Sequence, residues 1–147
     1  MTEPSLTIRP YVSADYDSVR KILELNGRFS EVIDSAENLT RKIQRDPSSM
    51  FVTLEGDRIT GTASIMEDGR MAFIVRWAGL TLEGMTEAIL RAEGELVSRG
   101  YSESSIFVGM HDTATGYYFA EQGYRMDGAC YRMSKELPGT LPPQARK

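Results

Sequence analysis

The sequence has few of the residues that build the commonest chemical sites. Among its 147 residues are one cysteine, one histidine and one tryptophan. The single cysteine, Cys130, excludes an internal disulfide and a cysteine-rich zinc site. No run approaches the roughly 20 apolar residues that cross a bilayer, and the first residues lack the pattern of a signal peptide. We therefore expect a cytoplasmic protein that binds no metal and no membrane.

Positive charge is also scarce. Lys and Arg number 17 against 21 Asp and Glu, and no cluster of basic residues occurs. Because binding to a phosphate backbone depends on clustered Lys and Arg, nucleic acid is not an expected partner. The length and the 41% hydrophobic content suit one folded domain. We predict a single domain over residues 1–137 and a mobile, proline-rich tail over residues 138–147.

Residue spacing predicts strands and helices in the first half of the chain. Residues 6–11 alternate apolar and polar side chains, as a half-buried strand does. Ser13 can cap a first helix that ends at Asn26 and Gly27, and Ser35 can cap a second that stops at Asp46. Three further strand patterns, at 50–54, 59–65 and 71–77, are separated by tight-turn residues and predict an antiparallel meander.

The second half predicts a crossover. Residues 81–99 have helical spacing and Gly100 closes them. Residues 105–109 form a short apolar run, which we expect to be a strand parallel to its predecessor because a long helix separates the two. A last helix over about 113–122 precedes strand candidates at 124–125 and 129–134. The fold class is thus mixed α/β, with a mostly antiparallel central sheet flanked by helices and one β-α-β crossover.

The junction between the strand ending near Trp77 and the helix starting at Thr81 is the most informative site. The first N–H groups of a helix and its dipole attract an anion. If the next parallel strand diverges, the exposed backbone edge can pair with an extended chain that contains amides. Many crossover helices bind nothing, however, so the junction alone does not identify a ligand.

Local motifs add a family resemblance that covers residues 6–137. The run SIFV at 105–108, followed by ATGYYFAEQGY at 114–124, resembles the strand and the "A..(F/L)Y...GF" helix of the GNAT acetyltransferase family. The run EGDRITGTA at 55–63 is similar to that family's "dg.ivG.a" hairpin. The resemblance implies a GNAT-like sheet with a splayed parallel strand pair, and acetyl-coenzyme A as the co-substrate.

The resemblance also implies a cofactor site with a degenerate pyrophosphate loop. Family members usually present Q/R-x-x-G-x-G/A before the long helix, whereas this chain has TLEGMT at 81–86, in which only Gly84 matches. Glu83 would bring negative charge near the pyrophosphate. Thr81 either donates to phosphate or is simply the helix N-cap. The implied cofactor-binding residues are Arg76, Trp77, Ala78, Thr81, Leu82, Glu83, Gly84, Met85, Thr86, Asp112 and Phe119.

For catalysis, the resemblance implies a tyrosine four residues before the glycine that ends the last helix. Counting back from Gly123 gives Phe119, so the neighbouring Tyr118 is the candidate general acid; the alternative is that it only packs. His111 is the candidate base, because a neutral imidazole can accept the proton of an ammonium substrate. A backbone N–H at a kink of the strand near Arg76 to Ala78 would stabilise the oxyanion.

The function so implied is N-acetylation of a primary amine by direct attack in a ternary complex. The acceptor is either a small molecule or a protein amine, and a homodimer is compatible with the sequence. Glu31 and Glu67 are candidates to attract a cationic amine, and Trp77 either lines the cleft or packs in the core. The alternative function is a catalytically inactive GNAT-like module that binds a ligand or an acyl-coenzyme A.

Overall fold

A computed structural model of the chain describes residues 5–138. The predicted tail therefore lies, except for Pro138, outside the described residues. The chain divides into two compact units, residues 1–107 and residues 108–147. The single domain over residues 1–137 stays a prediction.

The first unit contains a four-stranded antiparallel sheet in which the strands lie side by side in chain order. Its strands are β1 (Leu6–Pro10), β2 (Met50–Glu55), β3 (Arg58–Glu67) and β4 (Ala72–Gly79). Gly56 and Gly69, in the two turns of the meander, have φ values of 63° and 91°. Positive φ strains residues that have a Cβ, so glycine makes these tight turns possible. The predicted meander is confirmed.

Three helices of the first unit are α1 (Tyr16–Leu25), α2 (Ala36–Arg45) and α3 (Leu82–Ser98). Ser35 caps α2 as predicted, because its hydroxyl accepts the N–H of Asn38 at 3.2 Å. Ser13 does not cap α1. It begins a short 3-10 helix, Ser13–Asp15, in which the carboxylate of Asp15 accepts the N–H of Val12 at 3.0 Å. No side chain in the described part of the chain caps α1, and the Asp15 carboxylate, paired with Arg9, holds the chain that precedes the helix.

The helices pack on opposite faces of the sheet. On one face, Met50 and Val52 of β2 join a buried cluster with Ile22 of α1 and Leu39 of α2. The intervening β2 residues point the other way, and Thr53 donates a hydrogen bond to the Gly84 carbonyl of α3 at 2.7 Å. The alternation of strand side chains therefore builds a core on both faces. The predicted mixed α/β class, with helices flanking an antiparallel sheet, is confirmed.

The last predicted strands are wrong within the described residues. The run 105–109 contributes one parallel bridge, between Ser105 and Phe73, and no strand. Residues 124–125 and 129–134 also form no strand, and Tyr131 and Met133 are exposed. A strand requires a hydrogen-bonded partner strand, and only Ser105 of the run 105–109 pairs with β4. The second unit has a single described helix, α4 (Thr113–Glu121).

None of the helices within residues 5–138 combines the length and the apolar character that crossing a membrane requires.

Candidate functional site

A β-bulge interrupts β4 at Arg76 and Trp77. Ser64 pairs with Val75 and Thr62 pairs with Ala78, so Arg76 and Trp77 together lie opposite Ala63 alone. Arg76 has a φ of 52°, the one positive value among the described non-glycine residues. Bulges bend a strand and redirect its backbone groups. The bend lies where the sequence analysis placed a kink, near Arg76 to Ala78.

β4 has an open edge between its first residues and Gly79, whose backbone carbonyl and N–H pair with the side-chain amide of Asn26 at 3.0 and 3.4 Å. Ser105 donates its N–H to the Ala72 carbonyl and accepts the N–H of Ile74, both at 3.0 Å. No further bridge to β4 follows in the described chain, although the rings of Phe73 and Phe107 stack with centroids 5.5 Å apart. Ser105 therefore covers only the first residues of β4, and among residues 5–138 no strand pairs with the rest of this edge. Such an edge can pair with an extended amide-containing ligand.

The helix α3 follows β4 in the chain, and its first turn contains backbone N–H groups that are open to a ligand. Thr81 is the N-cap, and its hydroxyl accepts the N–H of Gly84 at 2.9 Å. Met85 donates its N–H to the Thr81 carbonyl at 3.2 Å. Within residues 5–138, the N–H groups of Leu82 and Glu83 have no hydrogen-bond partner. These two amides are the groups through which α3 can bind an anion.

Gly84 allows α3 to lie unusually close to the sheet. A Cβ at this position would lie 2.5 Å from the Thr60 carbonyl oxygen, and a Cβ at Gly61 would lie 2.6 Å from the Met85 nitrogen. The Gly84 carbonyl is occupied by Thr53 and its N–H by Thr81. The one glycine that matches the family loop thus has a packing role here.

The surface around the start of α3 is acidic. A shallow depression of about 220 Å³ is lined by Leu6, Leu82, Glu83, Thr86 and Glu87. Two carboxylates there oppose the attraction that the helix dipole offers to a phosphate. The Thr86 hydroxyl donates to the Leu82 carbonyl at 2.8 Å, so its proton is used within the helix.

The side chain of Arg76 does not face the start of α3. Its Nε donates to Oδ1 of Asp34 at 3.0 Å, and its terminal amino group donates to Oδ2 of Asp34 and to the Arg28 carbonyl. Asp34 is 1% exposed. No motif in the sequence marks Asp34 as a partner of Arg76. Local spacing carries no signal that these two residues pair, because 42 positions separate them.

Trp77 and Ala78 are buried, at 4% and 0% exposure. The Arg28 guanidinium lies 3.8 Å from the centre of the Trp77 ring, a cation–π contact. Trp77 therefore packs in the core, while a role of either residue in a cofactor site stays a prediction.

The two carboxylates proposed to attract an amine already have partners. Glu31 pairs with Arg20 at 3.4 Å, and Glu67 accepts the hydroxyl of Tyr101. Across residues 5–138, no group of three His, Cys, Asp or Glu side chains is arranged to hold a metal ion.

The second unit contains the remaining predicted residues. Asp112 is the N-cap of α4, accepting the N–H of Thr115 at 3.1 Å. His111 is exposed. The ring of Phe119 is buried and meets Tyr118 edge-on, with centroids 4.9 Å apart. Asp112 thus holds the turn into α4, while the proposed roles of His111 and Tyr118 stay predictions.

No family model matches the chain, and no curated protein is similar in sequence. Solved structures are similar in fold. A PaiA N-acetyltransferase from Thermoplasma acidophilum in complex with coenzyme A has a TM-score of 0.74 at 15% identity, over 86% of this chain and 93% of that one. A transcriptional regulator from Bacillus halodurans has a TM-score of 0.72 at 13% identity, over 89% and 100%.

A third similar structure is an aminoglycoside acetyltransferase from an uncultured soil metagenomic sample, in complex with sisomicin. Its TM-score is 0.69 at 16% identity, over 90% of this chain and 97% of that one. At these identities the similarity shows a shared fold. The fold expected from the motifs at 55–63 and 105–124 is confirmed.

Proposed function

We propose that this chain, which has the GNAT fold, is an N-acetyltransferase that moves an acetyl group from acetyl-coenzyme A to a primary amine. The observation that carries the proposal is the bulge at Arg76 and Trp77 beside the open edge of β4. Support also comes from the shared fold with acetyltransferases, one of them in complex with coenzyme A.

The chemistry follows from this edge. The amide groups of pantetheine would pair with the open backbone of β4, which brings the thioester to the bulge. A bulge N–H would stabilise the oxyanion as the amine nitrogen bonds to the carbonyl carbon and the C–S bond breaks. Most of the rate would come from holding both substrates together in a ternary complex.

Two proton transfers complete the reaction. His111 would accept the proton that the ammonium group must lose before it attacks, and Tyr118 would protonate the leaving thiolate. Both assignments come from the sequence. The amides of Leu82 and Glu83 are the groups we assign to the pyrophosphate, because they are the open donors at the start of α3.

A catalytically inactive module that binds a ligand or an acyl-coenzyme A is the second candidate. The observation that favours it is the acidic start of α3, where Glu83 and Glu87 line the surface depression and Gly84 has no open amide. A protein called a transcriptional regulator among the structures of similar fold is compatible with it.

Thermal melting and thiol release separate the two functions. A saturable rise in melting temperature with acetyl-coenzyme A is expected from the enzyme and from a module that binds acyl-coenzyme A, since a ligand that binds the folded state stabilises it. Thiol release with an amine is expected only from an enzyme. The acceptors are benzylamine, glucosamine, sisomicin and a tetra-alanine peptide with a free amino terminus. Melting without a shift would contradict the enzyme and favour a module that binds a different ligand.

A proline substitution tests the pyrophosphate site. Leu82 is the first residue of α3, where proline is tolerated and removes one open N–H. The preceding Thr81 is extended, with φ −127° and ψ 154°, as a residue before proline must be. Leu82→Pro should weaken acetyl-coenzyme A binding about 10- to 100-fold, the loss of one charge-assisted hydrogen bond.

The matched control is Ala36→Pro, the same change at the first residue of α2, after an extended Ser35. It should leave cofactor affinity unchanged. Equal effects of the two variants, or none from Leu82→Pro, would show that the pyrophosphate does not bind at α3.

A further inference from the structure

Asp34 connects three elements of the first unit. Its carboxylate accepts the Ser30 N–H at 2.9 Å and the guanidinium of Arg76. Its backbone N–H donates to the Ser30 carbonyl at 2.7 Å, and its carbonyl accepts the hydroxyl of Tyr16 at 2.9 Å. The loop between α1 and α2, the helix α1 and the bulge in β4 are therefore all bound to one buried residue.

The conformation of Arg76 needs this support. A residue with a Cβ is strained at positive φ and stays there only when its surroundings hold it. A bidentate pair between a guanidinium and a buried carboxylate is strong and directional. The second contact of Arg76, with the Arg28 carbonyl, ties the beginning of the same loop to the bulge.

The loop between α1 and α2 brings a positive charge to the bulge. Arg28 places its guanidinium on the ring of Trp77, the second bulge residue. Residues 28–34 and the bulge are thus held as one body, although more than 40 positions separate Asp34 from Arg76 in the chain.

We propose that the pair Asp34–Arg76 is a positioning device for acyl transfer. It holds the bulge in its left-handed conformation and holds residues 28–34 beside it, so that the oxyanion donor and this loop keep one geometry. The catalytic part rests on the proposed function. The coupling between loop and bulge does not, because it follows from the hydrogen bonds alone.

Hydrogen–deuterium exchange tests the coupling without any substrate. Asp34→Asn should raise exchange both in residues 28–34 and in residues 76–78. Arg76→Gly should raise it in residues 28–34, while glycine keeps the left-handed conformation of the bulge without strain. A loop that exchanges as in the wild type in both variants would overturn the proposal.

The matched control is Asp46→Asn. Asp46 accepts two hydrogen bonds from Arg99, at 2.7 and 3.0 Å. The variant therefore loses a pair of the same geometry away from the bulge. Hydrogen–deuterium exchange in residues 28–34 of this variant should stay that of the wild type. A rise there equal to that of Asp34→Asn would indicate general loosening and overturn the coupling.

Kinetics test the catalytic part, with the panel amine that the wild type acetylates fastest. Asp34→Asn should lower kcat about 10- to 100-fold, as a small misplacement of reacting groups does. Its affinity for acetyl-coenzyme A, read by melting, should not change, because the amides of α3 are untouched. A fall in affinity equal to the fall in kcat would mark a merely structural role.

The two proposals fail differently. A wild type that binds no acetyl-coenzyme A and releases no thiol overturns the proposed function and the catalytic role of the pair together. The exchange experiment then still decides whether Asp34 and Arg76 couple the loop to the bulge.

Discussion

Gly61 of β3 and Gly84 of α3 face each other where the helix begins over the sheet. A Cβ on either one would collide with the backbone of the other element. The contact brings the Thr53 hydroxyl within 2.7 Å of the Gly84 carbonyl. The contact therefore fixes the distance between α3 and the sheet. It also fixes the position of the open amides of Leu82 and Glu83.

Alanine at Gly84 should destabilise the protein. Its Cβ would enter the space of the Thr60 carbonyl, and overpacking of this kind costs about 1–3 kcal/mol. Urea unfolding measures the free-energy change. The control is Gly94→Ala in the same helix, where a Cβ has nothing within 4 Å. It should stabilise the protein by about 0.5–1 kcal/mol, so a Gly84→Ala variant as stable as Gly94→Ala would contradict the close approach.

Removing the charge of Glu83 should tighten acetyl-coenzyme A binding. Glu83 is the second residue of α3, and one negative charge near a bound phosphate weakens binding about 2- to 5-fold. Glu83→Gln should therefore lower the Kd by that factor in calorimetry, with less effect at high salt. Glu37→Gln removes the corresponding first-turn acid of α2 and is the control. A Kd that rises in Glu83→Gln would place the phosphates elsewhere.

Much of the fold was predictable because its signals are local. The alternation of residues 50–77 predicts the meander, and Ser35 and Thr81 lie three residues before the N–H groups that they cap. The prediction that Ser13 caps α1 is wrong because a 3-10 turn, Ser13–Asp15, precedes the helix, and the Ser13 hydroxyl lies 3.3 Å from the hydroxyl of Thr40 in α2. The sequence alone does not show that tertiary contact.

The rest depends on partners far away in the chain. The run 105–109 has the composition of a strand, but Ser105 alone pairs with a residue of β4. Asp34 looks like an ordinary loop acid until the guanidinium of Arg76 is placed beside it. The bend at Arg76 to Ala78 was expected from the family resemblance. Its left-handed φ at an arginine was not, since no local pattern favours it.

The fluorescence of Trp77 should report on the loop. Trp77 is the only tryptophan, it is 4% exposed, and the Arg28 guanidinium covers its ring. The wild type should show blue-shifted emission and weak quenching by acrylamide. Arg28→Ala uncovers the indole and should shift emission to the red and increase quenching. Arg20→Ala, which removes a guanidinium from the Phe29 ring instead, should change neither. Identical spectra of wild type and Arg28→Ala would mean that the stack does not form.

The pair of Asp46 and Arg99 should make part of the stability depend on pH. Hydrogen bonds from Arg99 hold the pKa of Asp46 below its ordinary value of 3.8. A carboxylate with a lowered pKa stabilises the folded state above its unfolded pKa, and this contribution disappears as the pH falls through the folded pKa. Asp46→Asn should therefore reduce the free energy of unfolding at pH 7 by about 1 kcal/mol or less, since the pair is partly exposed. In urea unfolding the difference from the wild type should stay constant from neutral pH down to about pH 4 and then vanish with further acidification. A difference that persists when Asp46 is fully protonated would show that the variant acts through packing and not through charge.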